Sequence, residues 1–164
     1  MDDVANLIGI SKPSLYKHFK SKEDLVGEAL IRLIDGAIEY LAQLDNGLPP
    51  IGKLMALLEW ALRVRLEGGM PFLPSTSAHV RDMLMRNLKY VGRVIKLNSQ
   101  LEKLVIAAQK NGDLSTKLSP DVILFSYYAR SCDPAVEYLQ RFSKMDTNAI
   151  VENMLRVCFQ GLED

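Results

Sequence analysis

Apolar residues return every three or four positions along almost the whole chain, and that spacing restricts the fold to helices. Leu30, Ile34, Ala37, Leu41 and Leu44 make one stripe, Leu84, Leu88, Val91 and Ile95 a second, and Ile150, Met154 and Cys158 a third. Each is the pattern of a single buried helix face. No stretch alternates with period two between hairpin turns, so nothing signals strands. The expected fold class is all-α. With 48% hydrophobic residues in 164 positions, the chain can bury a substantial core, which excludes disorder.

The helix boundaries are written in caps and breakers. Ser21-Lys22-Glu23-Asp24 places a hydroxyl at a cap and a carboxylate three residues on, opening a helix that runs to about Leu44 and stops at Asp45-Asn46-Gly47-Leu48-Pro49-Pro50. Ile51 to about Glu67 forms the next helix, closed by Gly68-Gly69. Residues 70–77 suit a loop or a short broken helix, and Ala78 to about Lys110 is helical with an interruption expected near Ala78 to Asp82. Asn111-Gly112 supplies a stop with a glycine where left-handed backbone is wanted. Ser119-Pro120-Asp121 starts a helix reaching Phe142 unless Pro134 breaks it, and Asp146 or Thr147 caps the last, which Gly161 ends.

Composition excludes several function classes. Lys plus Arg and Asp plus Glu number 20 each, so any nucleic-acid footprint must be local. Cys132 and Cys158 lack the spacing of a zinc or redox motif and read as reduced thiols of a cytoplasmic protein. No apolar run approaches the roughly 18 residues of a membrane span. The two histidines form no metal-binding pair, and neither a phosphate-cradling glycine loop nor a nucleophile elbow is present. The chain reads as a non-enzyme without a metal or other cofactor.

The chemistry gathers in residues 2–19, which fit two short helices around a turn. Asp2 and Asp3 favour the start of the first, whose Val4, Leu7 and Ile8 face a core. Gly9 permits a left-handed turn, Ser11 caps the second helix, and Pro13 sits in its first turn, where a missing donor costs nothing. This is helix-turn-helix grammar. Leu15 and Phe19, four apart, share the inner face. Lys12, Ser14, Tyr16, Lys17 and His18 fall largely outside it, and these residue types contact phosphates and base edges. Lys20 and Lys22 follow, and the helix starts at Ser11 and Ser21 offer free amides to backbone phosphates.

Asp3-Val4-Ala5, Gly9-Ile10-Ser11, Leu15-Tyr16, His18-Phe19 and Ser21-Lys22-Glu23-Asp24-Leu25 closely resemble the signature of TetR-family transcriptional repressors. The detailed match covers about thirty residues, and the rest resembles the family only in layout. The resemblance implies phosphate contacts for Tyr16 and Lys22. It implies a groove-facing set of Lys12, Ser14 and His18, with Lys17 beside them. In the family a further helix precedes the helix-turn-helix and closes its core. The expectation is therefore that Met1 is an internal methionine of a longer natural chain, with a truncated chain of impaired DNA binding as the alternative.

The same resemblance divides the chain into a partial helix-turn-helix DNA-binding domain over residues 1–28 and a helical ligand-binding and dimerisation domain over 29–164. It implies a pocket for a small apolar or amphipathic effector, for which Met55, Trp60, Met70, Phe72, His79, Met83 and Tyr90 are the candidate lining, since methionines and aromatics line adaptable pockets. It also implies a homodimer built on the last two helices, with Val122, Phe125, Ala129, Ile150, Met154 and Val157 as apolar candidates, some of which must face the monomer's own core. The expected function is a repressor of a palindromic operator, released by its effector. The alternative is a helical dimer that binds a small molecule or protein without reading DNA.

Overall fold

A computed structural model describes residues 2, 5, 9, 11–69 and 78–161, from the backbone alone over 78–80. Among the described residues every regular element is a helix: α1 Lys12–His18, α2 Lys22–Gln43, α3 Pro50–Leu66, α4 Ala78–Arg86, α5 Leu88–Lys110, α6 Pro120–Ser131, α7 Ala135–Phe142 and α8 Thr147–Gln160. Asp2 and Ala5 are helical, while Val4, Leu7 and Ile8 lie outside the described residues.

Local chemistry sets most of these limits. At the start of α2 the Ser21 hydroxyl accepts from the Asp24 amide at 3.1 Å, and the Asp24 carboxylate accepts from the Lys20 amide at 3.0 Å, a reciprocal cap. The Ser119 hydroxyl accepts from the Val122 amide at 3.4 Å and the Asp146 carboxylate from the Ala149 amide at 2.8 Å. Gly112 ends α5 with φ of 83°, letting the Asp113 amide turn back to the Ala108 carbonyl at 2.9 Å.

The interruption expected near Ala78 to Asp82 falls instead at Asn87. Its backbone is extended, and its side chain accepts from the Tyr90 amide at 3.1 Å, so a cap closes one helix and opens the next. Pro134 does break the helix that starts at Pro120: α6 stops at Ser131 and α7 begins at Ala135, with the Asp133 carboxylate taking the Ala135 amide at 2.9 Å.

α5 is the central element, packed on α2, α3, α4 and α6, while α8 lies against α3. The large core joins Leu30 and Ile34 of α2, Leu54 and Leu58 of α3, Leu101 and Val105 of α5, Leu124 of α6 and Ile150 and Met154 of α8. Ile150 and Met154 therefore leave the interface set, because α8 turns them into the monomer's own core at 1% and 6% exposure. A separate small cluster holds Ala5 and Leu15 with Phe19 and Leu25 against them.

Candidate functional site

The short helix α1 is oriented by its inner face. Gly9 has φ of 70°, a turn that an L side chain rarely adopts, and Ser11 then caps α1 by accepting from the Ser14 amide at 3.3 Å. Leu15 is 1% exposed in the small core, which fixes the rotation of the helix. Lys12, Tyr16, Lys17 and His18 consequently point to solvent, Ser14 is half-buried at the side, and Ser11 and Lys22 are exposed at the two helix starts. The result is a surface of ammonium groups, a phenol, an imidazole and hydroxyls, suited to phosphate oxygens and base edges. Lys12 Nζ donates to Asp2 Oδ2 at 2.9 Å. That hydrogen bond is the main cause that lowers the Asp2 carboxyl and raises the Lys12 amine from their ordinary values.

The body opens a cleft of about 440 Å³ between α2, α5 and α6. Its lining is Ile34 of α2; Tyr90, Val94, Ile95, Leu97, Asn98, Ser99 and Glu102 of α5; and Phe125 and Tyr128 of α6. Among these residues there is no Lys, Arg or His. Burial raises both phenols above the usual tyrosine range, and the neighbouring Tyr90 adds to the effect on Tyr128. Glu102 is half-buried and has neither an ion pair nor a hydrogen bond among the described residues.

Of the candidate lining residues, Tyr90 alone stands among those described at this cleft. Trp60 is stacked on Tyr40 with ring centroids 5.8 Å apart, and its ring covers Gly36. Met83 packs partly buried on the core, and Met55 is exposed on α3. Met70, Phe72 and the side chain of His79 lie outside the described residues. The other lining residues were missed; of these, Val94, Asn98 and Glu102 follow Tyr90 at intervals of four and so share its face.

On α6, Val122, Phe125 and Ala129 are exposed along one stripe, and Phe125 also stands at the cleft. Val157 on α8 is half-buried. The cleft side of the body is tied to α2 by two ion pairs, Lys89 with Glu28 at 3.1 Å and Arg93 with Asp35 at 2.6 Å. Among the described residues no helix is long and apolar enough to cross a membrane.

Residues 1–29 match the model of the bacterial regulatory proteins of the tetR family. The fold is similar to that of a transcriptional regulator of the TetR/AcrR family from Thermobifida fusca YX-ER1, with a TM-score of 0.61 and 19% identity over 99% of this chain and 86% of that one. It is also similar to the transcriptional regulator FadR from Bacillus subtilis in complex with stearoyl-CoA, with a TM-score of 0.61 and 15% identity over 98% of this chain and 87% of that one. No curated protein matches the chain in sequence.

Proposed function

We propose that this chain is a TetR-family regulator, as its N-terminal signature and its fold support, and that it is a repressor that binds a palindromic operator as a homodimer and is released by a small amphipathic molecule. The observation that carries the reading is the exposed set Lys12, Tyr16, Lys17, His18 and Lys22 around a helix whose other face, Leu15, is buried. Tyr16 and Lys22 hold backbone phosphates and fix the register. Lys12, Ser14 and His18, with Lys17 beside them, face the groove. In the dimer the exposed stripe of Val122, Phe125 and Ala129 meets its copy, and that contact sets the spacing of the two reading helices.

The cleft touches the linking helix α2 through Ile34, and α2 leads directly from the reading segment. A molecule wedged between α2 and α5 shifts α2 and with it the spacing of the readers. The effect requires that the ligand fit the released arrangement better than the DNA-bound one.

Fluorescence anisotropy with duplexes from the intergenic DNA beside the gene tests the reading. The expected result is specific binding that weakens steeply with salt. Tyr16→Ala and Lys22→Ala are expected to weaken it on every sequence, and Lys12→Ala to relax its specificity. Binding indifferent to all three substitutions sinks the repressor reading. Affinity for any duplex alike supports a helical dimer that serves its cleft without reading DNA.

A further inference from the structure

We propose that the cleft between α2, α5 and α6 takes a lipophilic cation, held by the Glu102 carboxylate and the rings of Tyr90, Phe125 and Tyr128. The assignment deepens the regulator reading, on which it rests for its purpose, by naming the effector's chemical class.

Glu102 is the first ground. It is half-buried in a mostly apolar cleft and has no cationic or hydrogen-bonding partner among the described residues. A carboxylate set among apolar and aromatic side chains without a partner leaves its acceptor oxygens open to a cation. A positive charge entering the cleft supplies the missing partner.

The second ground is what the lining lacks. No basic side chain stands among the lining residues, and Lys96 and Lys103 are exposed on α5 outside it. A carboxylate or phosphate head would meet Glu102 with no counter-charge. An acyl-CoA, the ligand of the Bacillus subtilis neighbour, is therefore a poor match for this cleft.

The aromatic rings agree with the charge. Phe125 and Tyr128 stand 6.5 Å apart at 51°, and the buried Tyr90 completes the cluster. Ring faces carry negative potential and attract cations; Tyr90 and Tyr128 are buried, while Phe125 is exposed at the rim, where the proposed dimer contact closes the cleft. Ile34, Val94, Ile95 and Leu97 demand apolar bulk around the charge, so a small hydrated ion does not fit, and about 440 Å³ is room for a compact aromatic cation.

The experiment compares two probes of nearly the same shape and opposite charge, tetraphenylphosphonium and tetraphenylborate, by isothermal titration of the intact protein. The wild type is expected to bind the phosphonium. Glu102→Gln, which keeps the shape, is expected to lower phosphonium affinity roughly tenfold and to move the ratio of phosphonium to borate affinity toward the borate. Its thermal midpoint should match the wild type, which keeps a folding defect from imitating the result. Absence of phosphonium binding, or a ratio unchanged in Glu102→Gln, overturns the assignment.

Operator binding is measured separately. Protein that takes the cation as expected but binds no operator keeps this assignment and loses the repressor reading. Protein that binds operator but shows no phosphonium binding does the reverse.

Discussion

Lys12 Nζ donates to Asp2 Oδ2 across 2.9 Å, so a side chain proposed to read DNA is engaged by a carboxylate from the segment before the turn. On that proposal, DNA must displace the partner. Because the Lys12 hydrogen bond lowers the Asp2 carboxyl, the pair persists through the neutral range and is lost only in acid, as pH falls through the lowered value. Asp2→Asn is expected to raise operator affinity roughly two- to fivefold, in keeping with the small worth of exposed pairs, and to steepen its salt dependence. Anisotropy titrations at two salt concentrations check both effects.

The phenol of Tyr127 donates to the Leu54 carbonyl at 3.0 Å inside the core. Burial raises Tyr127 well above its ordinary value, and it raises Tyr90 and Tyr128 as well. A phenol kept neutral in the fold but ionising near 10 when unfolded stabilises the protein fully below that pH, and the benefit is lost as pH rises through 10 toward the folded value. The Cys158 thiol, also raised by burial, starts the decline near 9. The melting temperature should therefore fall steeply above pH 9. Tyr127→Phe should cost about 1 kcal/mol at neutral pH and flatten the alkaline fall, as read by circular dichroism.

Arg65 ties α3 to α7: its Nε and Nη2 both donate to Glu137 Oε1, at 3.0 and 2.8 Å. Arg65 is 8% exposed at its side chain and Glu137 57%, so the cost of losing the acid lies between that of a buried and a surface pair. Glu137→Ala is expected to destabilise by about 1–2 kcal/mol, below the cost of breaking a fully buried pair. Urea denaturation at pH 7 measures it.

Gly27 lies buried in α2, and a Cβ added there meets Asn87 Nδ2 at 3.5 Å, an ordinary contact. Gly27→Ala is thus expected to gain up to about 1 kcal/mol from helix propensity, whereas Gly27→Leu collides with the cap that separates α4 from α5. Thermal unfolding of the two variants should move in opposite directions.

The helical architecture was legible because its signals are local. Ser21, Ser119, Asp146 and Gly112 act at their own positions, and each boundary follows from one side chain or one backbone angle. Asn87 was missed because a mid-helix asparagine looks like any other polar position until its side chain takes the Tyr90 amide. The cleft was poorly legible for a different reason. Trp60 and Met83 have the chemistry of pocket residues, yet which neighbour they meet depends on how helices far apart in sequence cross. Trp60 meets Tyr40, and Met83 meets the core. The four-residue ladder from Tyr90 to Glu102 was available as a stripe, but its acidic end looked like surface. Ile150 and Met154 likewise have an interface composition, and only the packing of α8 on α3 turns them inward.

Ile34 is the side chain that α2 gives to the cleft among the described residues. Whatever a bound molecule transmits through that contact is bounded by the worth of one aliphatic side chain, about 1.5–3 kcal/mol. Converted at 1.4 kcal/mol per decade, the share carried by that one contact is at most roughly a ten- to hundredfold change in operator affinity. On the proposed repressor reading, a contact of that size would make release partial: a saturating effector would loosen the grip on the operator without abolishing it.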